Sequence, residues 1–479
     1  MFKRIVVFGM ALVALLNSSN SFAQKSEVRL SLQQAMQLMH NDNNSLKIAS
    51  EQLKWAKTER QRLNAFWYPQ ISAAGAYMHT SNKIEVKESL SQFTDPAVEH
   101  IHALDPGEKI ITSVLDRIGK ASFSVPLIPR NTTSIDAVAT LPIFTGGKRI
   151  YASKIGKLMI DMAQTNKERV GADQQVLLVE TYYSLRLGQE IVAVRQETYY
   201  AMERHYQDAL KLEANGLINK AERLYFQVNR DEAKRELQAA VKDLSVAQSA
   251  FKTLVKMEPS ESVRPISTLF INESLPAIDY FKNLINNHNY LVNGIRIQHA
   301  IQNKELQIAR SGYLPNIEVF GKQTLYSDGV PKNLLPRTMV GVGFAWNLFD
   351  GLDREKKISQ AKINRYILDI QKDKLVEDLG LAVDKFYNQT QVALDNVTAL
   401  HTTIEMSQEL VRTRQRAFSE GMATSLEVID AELILSKVRI AALLAYFEFD
   451  SGLINLLAVC GIPEAFQDYR LSGKGETNL

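Results

Sequence analysis

The chain has 479 residues, 45% of them hydrophobic and 23% charged, which is ample for a protein with a buried core. Its 56 basic and 53 acidic residues give a formal net charge of +3, so the balance of charge gives no support to a nucleic-acid partner. The sequence contains one cysteine, Cys460, which excludes an intramolecular disulfide and is expected to be a small buried hydrophobic residue.

Residues 1–23 are typical of a secretory signal peptide. Lys3 and Arg4 form a basic start, residues 5–16 an apolar stretch, and residues 21–23 a small-residue cleavage site. The apolar stretch is shorter than the roughly 20 residues that a membrane-spanning helix needs, and no later segment has a run of that length. We therefore expect an exported protein that is periplasmic, secreted or an outer-membrane β-barrel.

The same pattern occurs twice along the chain. A short apolar strand runs into a very long helical pattern, which is broken at a glycine. The matching positions Phe144 and Phe349, Arg149 and Arg354, and Gly216 and Gly421 are each separated by 205 residues. Such self-similarity predicts two structural repeats with helices of equal length. We assign residues 24–258 to the first repeat, 259–463 to the second, and 464–479 to a C-terminal tail.

In the first repeat, apolar residues at helical spacing run from Leu32 to Leu63 and stop before Pro69, because proline disfavours helix at the residue before it. From Pro69 to Phe144 there are 75 residues, 41 more than at the same place in the second repeat, so this repeat carries the longer loop. The predicted elements that follow are strands at about 70–78 and 134–141, a long extracellular loop at about 79–130, and helices at 147–214 and 217–257.

The second repeat has the same order and stops its first helical stretch before Pro315. The predicted elements that follow are strands at about 317–326 and 338–346 and helices at 356–419 and 422–459. In the last strand, large apolar residues alternate with small ones, which is typical of a strand between lipid and a lumen. A half-buried sheet in a soluble protein gives the same alternation and remains the alternative.

The long helices and the few strands together point to an assembly. Residues 147–214 contain no proline and would form a helix roughly 100 Å long, about three bilayer thicknesses. Their apolar residues are sparse, so such helices need neighbours packed as in a coiled coil. Four strands cannot close a membrane barrel, since the smallest have about eight, and open edges are not tolerated in lipid. Three copies would supply twelve strands, with two copies as the alternative.

These features resemble the TolC-like outer-membrane efflux protein family over essentially the whole mature chain. They are the tandem halves, the proline-started strands, the glycine turns, and the motifs Phe144-x-Gly146-Gly147 and Leu348-Phe349-Asp350-Gly351. The resemblance implies a mainly α fold in a homotrimer, with four β-strands per protomer forming a twelve-stranded barrel in the bacterial outer membrane. A long α-helical barrel would continue it into the periplasm. It also implies passive conduction of drugs or other substrates, powered by an inner-membrane pump that is joined through a periplasmic adaptor.

The resemblance further implies where the channel narrows. In this family, acidic side chains near the two glycine turns ring a periplasmic constriction, and the matching residues here are Glu222, Glu427 and Asp430, with the aromatic Phe418. The family's latch arginine, two residues after the second turn glycine, is replaced here by Ala423. A latch that uses that arginine is therefore not expected in this chain.

Two other sets of residues are implied. Gly216 and Gly421 are the turns at which the adaptor would dock. Trp67, Tyr68 and Trp346 fall at helix–strand junctions, as expected of an aromatic belt at the outer-membrane lipid interface, although ordinary packing explains them nearly as well.

Other classes explain less of the sequence. Gly146-Gly147-Lys148 lacks the spacing of a phosphate-binding loop, and His100-x-His102 has no partner at a recognised metal-binding spacing. We therefore expect neither catalysis, nor a cofactor, nor a metal. The alternatives that remain are the outer-membrane component of a type I protein secretion system and a soluble periplasmic coiled-coil scaffold. The scaffold would explain the helices but not the paired strands.

Overall fold

The computed structural model describes residues 27–79, 81, 84–86, 114, 125–128, 131–329 and 336–473. The predicted signal peptide, most of the loop predicted at about 79–130, and the His100-x-His102 pair lie outside the described residues.

Within the described residues, helices are labelled α and strands β in chain order. The helices are α1 (Leu32–Asp42), α2 (Asn44–Asn64), α3 (Lys148–Ala214), α4 (Lys220–Val255), α5 (Ile278–His288), α6 (Tyr290–Ser311), α7 (Asp353–Ser419), α8 (Ser425–Cys460) and α9 (Phe466–Leu471). The strands are β1 (Glu27–Leu30), β2 (Gln70–His79), β3 (Ile84–Val86), β4 (Val125–Ile128), β5 (Asn131–Thr145), β6 (Ser262–Pro265), β7 (Asn316–Asp328) and β8 (Thr338–Ala345).

The hairpin helices of the two repeats are equal in length and lie at a constant offset. Helices α3 and α7 each have 67 residues, and α4 and α8 each have 36. Helices α7 and α8 each begin and end 205 residues after α3 and α4, their counterparts in the first repeat. Because an α-helix rises 1.5 Å per residue, the long arms measure roughly 100 Å and the short arms roughly 54 Å.

A buried asparagine interrupts the first helical stretch of each repeat. Asn43 separates α1 from α2, Asn289 separates α5 from α6, and each is 6% exposed. The side-chain oxygen of Asn43 accepts a hydrogen bond from the backbone nitrogen of Ser45 at 2.8 Å, and that of Asn289 accepts one from Leu291 at 2.8 Å. Each asparagine therefore begins a new helix by satisfying a free backbone donor.

The chain divides into two compact units, and both repeats contribute to each. The described residues of one unit fall within Met1–Glu51, Thr165–Gly294 and Lys372–Leu479, and those of the other within Gln52–Gln164 and Ile295–Gln371. The boundary between the repeats, which the sequence places near residue 258, is therefore not a boundary between compact units.

The first of these units is helical and has its main apolar core around α8. Sixteen residues of α8 are buried, against five in α4. Strand β1 pairs in parallel with β6, and the hydroxyl of Tyr182 holds this region by donating to the carbonyl of Leu30 at 2.7 Å. Phe466 of α9 is fully buried in the same core, so the beginning of the predicted C-terminal tail is part of the folded unit.

The second unit contains an antiparallel sheet in the order β2-β5-β7-β8. Its strands lie close to the four predicted ones, but β5 is longer than predicted because it continues past Pro142, where a β-bulge shifts the register. Alternate side chains form an exposed apolar face: Ile71, Tyr77, Val340, Val342 and Phe344.

Among the described helices, none combines the length and the apolar character needed to cross a membrane.

Candidate functional site

Both long helices end in the same glycine turn. Gly216 has φ +69° and Gly421 has φ +74°, a left-handed conformation that glycine adopts without strain. After α3, the backbone nitrogen of Leu217 donates to the carbonyl of Leu212 at 2.9 Å, and after α7 that of Met422 donates to Ala417 at 2.8 Å. This pattern is the Schellman motif, which satisfies the last carbonyls of a helix.

The short arms begin with matching capping boxes. In the first repeat, the Asn219 side chain accepts from the backbone nitrogen of Glu222 at 3.0 Å, and the Glu222 carboxylate accepts from that of Asn219 at 3.3 Å. In the second, Thr424 and Glu427 exchange the same two bonds at 3.4 Å each. The motifs Asn-x-x-Glu and Thr-x-x-Glu are visible in the sequence, so the capping roles of Glu222 and Glu427 could have been predicted.

Glu427 has a second partner on the long helix of its own hairpin. Its carboxylate forms an ion pair with the guanidinium of Arg414 in α7, and both side chains are about half exposed. The Glu427 carboxylate therefore both caps the start of α8 and pairs with a cation. In contrast, Glu222 is exposed and has no ion-pair partner among the described residues.

Asp430 lies on the next turn of α8 and is exposed to solvent. The hydroxyl of Tyr225 in α4 donates a long hydrogen bond to Asp430 Oδ1 at 3.4 Å. Tyr225 and Asp430 are themselves 205 residues apart, so this contact joins equivalent positions of the two repeats.

Glu432 extends the set of contacts from α8, and sequence reasoning missed it. His205 Nε2 of α3 lies 3.0 Å from Glu432 Oε2, and Gln415 Nε2 of α7 donates to Glu432 Oε1 at 3.1 Å. Glu427, Asp430 and Glu432 thus tie the first turns of α8 to α7, α4 and α3. No sequence motif signals Glu432, because its partners are distant in the chain.

The turns also expose apolar side chains. Leu217 and Met422, which follow the two glycines at equivalent positions, are 70% and 73% exposed. Phe418, the predicted aromatic at the constriction, is 42% exposed, and its carbonyl accepts the backbone nitrogen of Gly421 at 3.0 Å.

At the other end of α3, an arginine links the helix to the sheet. The guanidinium of Arg149 donates to the carbonyl of Pro142 in β5, and its carbon Cζ lies 4.0 Å from the ring centroid of Trp67. Arg149 thus connects the start of α3 both to β5 and to the turn that follows α2, within one unit.

The second repeat contains the same arrangement. Arg354 donates to the carbonyl of Asn347 at 3.0 Å, pairs with Asp350 at 2.8 Å, and lies 4.8 Å from the ring centroid of Tyr313. The indole nitrogen of Trp346 donates to the Tyr313 carbonyl at 3.1 Å. The duplication is thus visible in individual contacts as well as in helix lengths.

The predicted interface aromatics are all at the surface. Trp67, Tyr68 and Trp346 are 48%, 69% and 55% exposed at the junctions between helices and strands. Their role at a lipid interface stays a prediction.

Two further observations concern metal-binding and thiol groups in the part of the chain that the structure describes. No group of three or more His, Cys, Asp or Glu side chains there is arranged to hold a metal ion. Burial raises the pKa of the Cys460 thiol to about 12, so this thiol stays protonated at neutral pH and packs as a small apolar group.

Comparisons with known proteins agree with this architecture. Residues 284–461 match the family described as outer membrane efflux protein. The chain is 23% identical over 301 residues to the alkaline protease secretion protein AprF of Pseudomonas aeruginosa, an alignment that covers 58% of this chain and 59% of AprF. The match therefore spans less than two thirds of that relative.

Solved structures with the same fold cover nearly the whole chain. CusC has a TM-score of 0.70 at 13% identity, with 93% of this chain and 95% of CusC covered. The outer membrane protein VceC of Vibrio cholerae has a TM-score of 0.69 at 13% identity, with 90% of this chain and 96% of VceC covered.

The chain therefore shares with these structures a fold built from a four-stranded sheet and two long helical hairpins. The resemblance to outer-membrane efflux proteins that the sequence predicts is confirmed, with the family match in the second repeat.

Proposed function

We propose that this protein is the outer-membrane exit channel of a tripartite efflux or secretion system, conducting substrates passively from the periplasmic side to the exterior. The observation that carries the proposal is the combination of an exposed apolar sheet face with two helical hairpins of equal length. Large apolar side chains exposed on a sheet fit contact with lipid. Helices of roughly 100 Å are long enough to continue such a sheet across the periplasm.

The channel would be a homotrimer in the bacterial outer membrane. Within the described residues, β2 and β8 each pair with a single neighbour, so the sheet has two open edges. Open edges are not stable in lipid, and three copies would close a barrel of twelve strands. The long hairpins would then form the helical barrel, and Trp67, Tyr68 and Trp346 would lie near the lipid headgroups.

The partners would be a periplasmic adaptor and an inner-membrane pump. The exposed Leu217 and Met422 beside Gly216 and Gly421 offer two equivalent apolar contacts per protomer at the hairpin turns. A repeated docking surface of this kind suits an adaptor that contacts both repeats. The passive role leaves no catalytic step for the chain itself.

At the turns, we propose that Asp430 contributes more to a ring of negative charge than Glu427. The Arg414 guanidinium offsets the charge of Glu427, whereas Asp430 has a neutral partner in Tyr225. Charged rings at a narrow neck favour ions of opposite sign. Glu222 would add to the ring from the first repeat, and Phe418 would line it.

Conductance of the purified protein in planar bilayers tests the channel and the ring together. We expect ion-conducting events from the wild type and a cation-to-anion permeability ratio that falls roughly twofold or more in Asp430→Asn. The double variant Arg414→Gln with Glu427→Gln is the matched control, because it removes an ion pair without changing the net charge, and we expect a smaller change from it. Absence of conductance, together with recovery in the soluble periplasmic fraction without detergent, would favour the coiled-coil scaffold instead.

A second candidate is the outer-membrane component of a protein secretion system. The name of the relative AprF, an alkaline protease secretion protein, supports it. A deletion strain separates the two functions. Increased drug susceptibility with unchanged exported proteins supports efflux, whereas loss of a protein from the medium with unchanged susceptibility supports secretion.

A further inference from the structure

The two faces of the sheet carry different chemistry. Val340, Val342 and Phe344 of β8 are 69–78% exposed on one face. Residues directly opposite each other in an antiparallel pair share a face, and on the other face Met339, Gly341 and Gly343 are opposite Lys322, Phe320 and Glu318. Glu318 and Lys322 thus lie on a polar face, away from the exposed apolar side chains.

One pair of charges on this polar face cancels. Lys322 Nζ lies 2.8 Å from Asp136 Oδ2, and the Thr324 hydroxyl donates to Asp136 Oδ1 at 2.7 Å. The Asp136 side chain is 16% exposed and that of Lys322 is 33% exposed. The pair adds no net charge to this face.

Glu318 is the charge left over. Its neighbours across the sheet are Pro142 in β5 and Gly343 in β8, and neither has a side chain that can donate a hydrogen bond. The next residue on the same face of β7 is Phe320. Among the described residues, no cation and no hydrogen-bond donor contacts the half-buried Glu318 carboxylate.

A half-buried carboxylate without a protein partner needs contact with water to stabilise its charge. Burying a charge without a partner is costly, and ionisable residues of membrane-spanning segments face a protein interior or a water-filled cavity. Glu318 is the third residue of β7, which starts at Asn316, so it lies at the end of the strand that follows α6. With Asp136 and Lys322, each chain would place two negative charges and one positive charge on this face.

We propose that Glu318 is a selectivity-determining residue that lines the water-filled path inside the sheet and favours positively charged permeants. The inference rests on the proposed channel function and places a second charged ring far along the chain from the hairpin turns. Three copies would contribute three Glu318 carboxylates, whereas the Lys322–Asp136 pairs would remain neutral.

Glu318→Gln in planar bilayers under a KCl gradient tests the charge. We expect the cation-to-anion permeability ratio to fall roughly twofold or more, while Glu318→Asp keeps it near the wild-type value. The double variant Asp136→Asn with Lys322→Gln is the matched control, since it removes two charges without changing the net charge. An unchanged ratio in Glu318→Gln would overturn the proposal.

Chemical modification of a cysteine at position 318 tests independently whether this position faces water and influences selectivity. Glu318→Cys provides a thiol on the proposed path, and Cys460 contributes little background because it is fully buried. A methanethiosulfonate reagent carrying sulfonate should raise the cation preference of this variant, and one carrying trimethylammonium should lower it. Lack of reaction, or reaction without a change in selectivity, would contradict a water-filled path at Glu318. If the wild type formed no channels at all, the proposed function would fail instead.

Discussion

The two short helical arms, α4 and α8, are equal in length but differ in what they bury. Both have 36 residues and follow the same glycine turn and capping box. Helix α4 buries five residues, which is typical of a surface helix, whereas α8 buries sixteen and forms the centre of the helical unit. The repeat therefore sets the lengths and the turns of the two arms, whereas sequence divergence between them decides which arm stabilises the fold.

The largest expected effect is in the core. Phe449 of α8 is fully buried, and its equivalent in α4 is the partly buried Leu244. We expect Phe449→Ala to lower the free energy of unfolding by about 3–5 kcal/mol, because it leaves a cavity among packed side chains. Leu244→Ala should cost less, since its surroundings already reach solvent.

Urea titration of the detergent-solubilised protein, followed by circular dichroism, measures both variants under one condition. Equal losses of unfolding free energy from the two substitutions would contradict the conclusion that α8 stabilises the fold more than α4.

A second difference between the arms is a buried acid. Asp450 of α8 is fully buried, and its equivalent in α4 is the exposed Ser245. Burial raises the pKa of Asp450 well above its ordinary value, and the backbone amide of Phe270 and the charge of Arg470 act only partly against this. The folded protein therefore holds the Asp450 proton more tightly than the unfolded chain does.

The pH dependence of stability follows from that pKa. The contribution of Asp450 is complete below the unfolded pKa of about 3.8 and is lost as pH rises through the higher folded-state pKa. We expect Asp450→Asn, which cannot ionise, to melt at a higher temperature than the wild type at pH 7.5 and at a similar temperature near pH 4. Ser245→Ala serves as the control. A wild type that is more stable than Asp450→Asn at pH 7.5 would show that the buried acid is ionised and paired.

The smallest expected effect is at the turns, where the repeats agree. Asn219→Ala and Thr424→Ala each remove a capping side chain, so we expect each to lower the free energy of unfolding by about 1 kcal/mol. The two losses should match to within a few tenths of a kcal/mol, and the same urea titration measures them. A much larger loss from Thr424→Ala would mean that the Arg414–Glu427 ion pair depends on this cap.

The repeat was predictable because its signals are local. Gly216 and Gly421 mark the helix ends, and Pro69 and Pro315 mark the starts of strands, so most elements could be placed to within a few residues. Strand β5 was predicted too short, at about 134–141, because the sequence does not signal the bulge with which the strand continues past Pro142 to Thr145.

Other features depend on contacts between distant parts of the chain. Asn43 lies in a stretch whose apolar spacing continues without a break, and its side-chain nitrogen donates to Gln174, 131 residues away. The partners of Asp430 and Glu432 could not be predicted for the same reason. The sequence indicated which acids lie near the turn, but only packing of the helices decides which of them are neutralised.

The contact between Tyr225 and Asp430 has a consequence for how such a chain can diverge. Tyr225 and Asp430 occupy equivalent positions of the two repeats, so a position in one repeat contacts the same position in the other. In a chain with two identical halves, one residue type would have to face itself there, and two aspartates would repel each other. With tyrosine in one half and aspartate in the other, a donor meets an acceptor. This hydrogen bond between two different residue types could form only after the two repeats had diverged at this position.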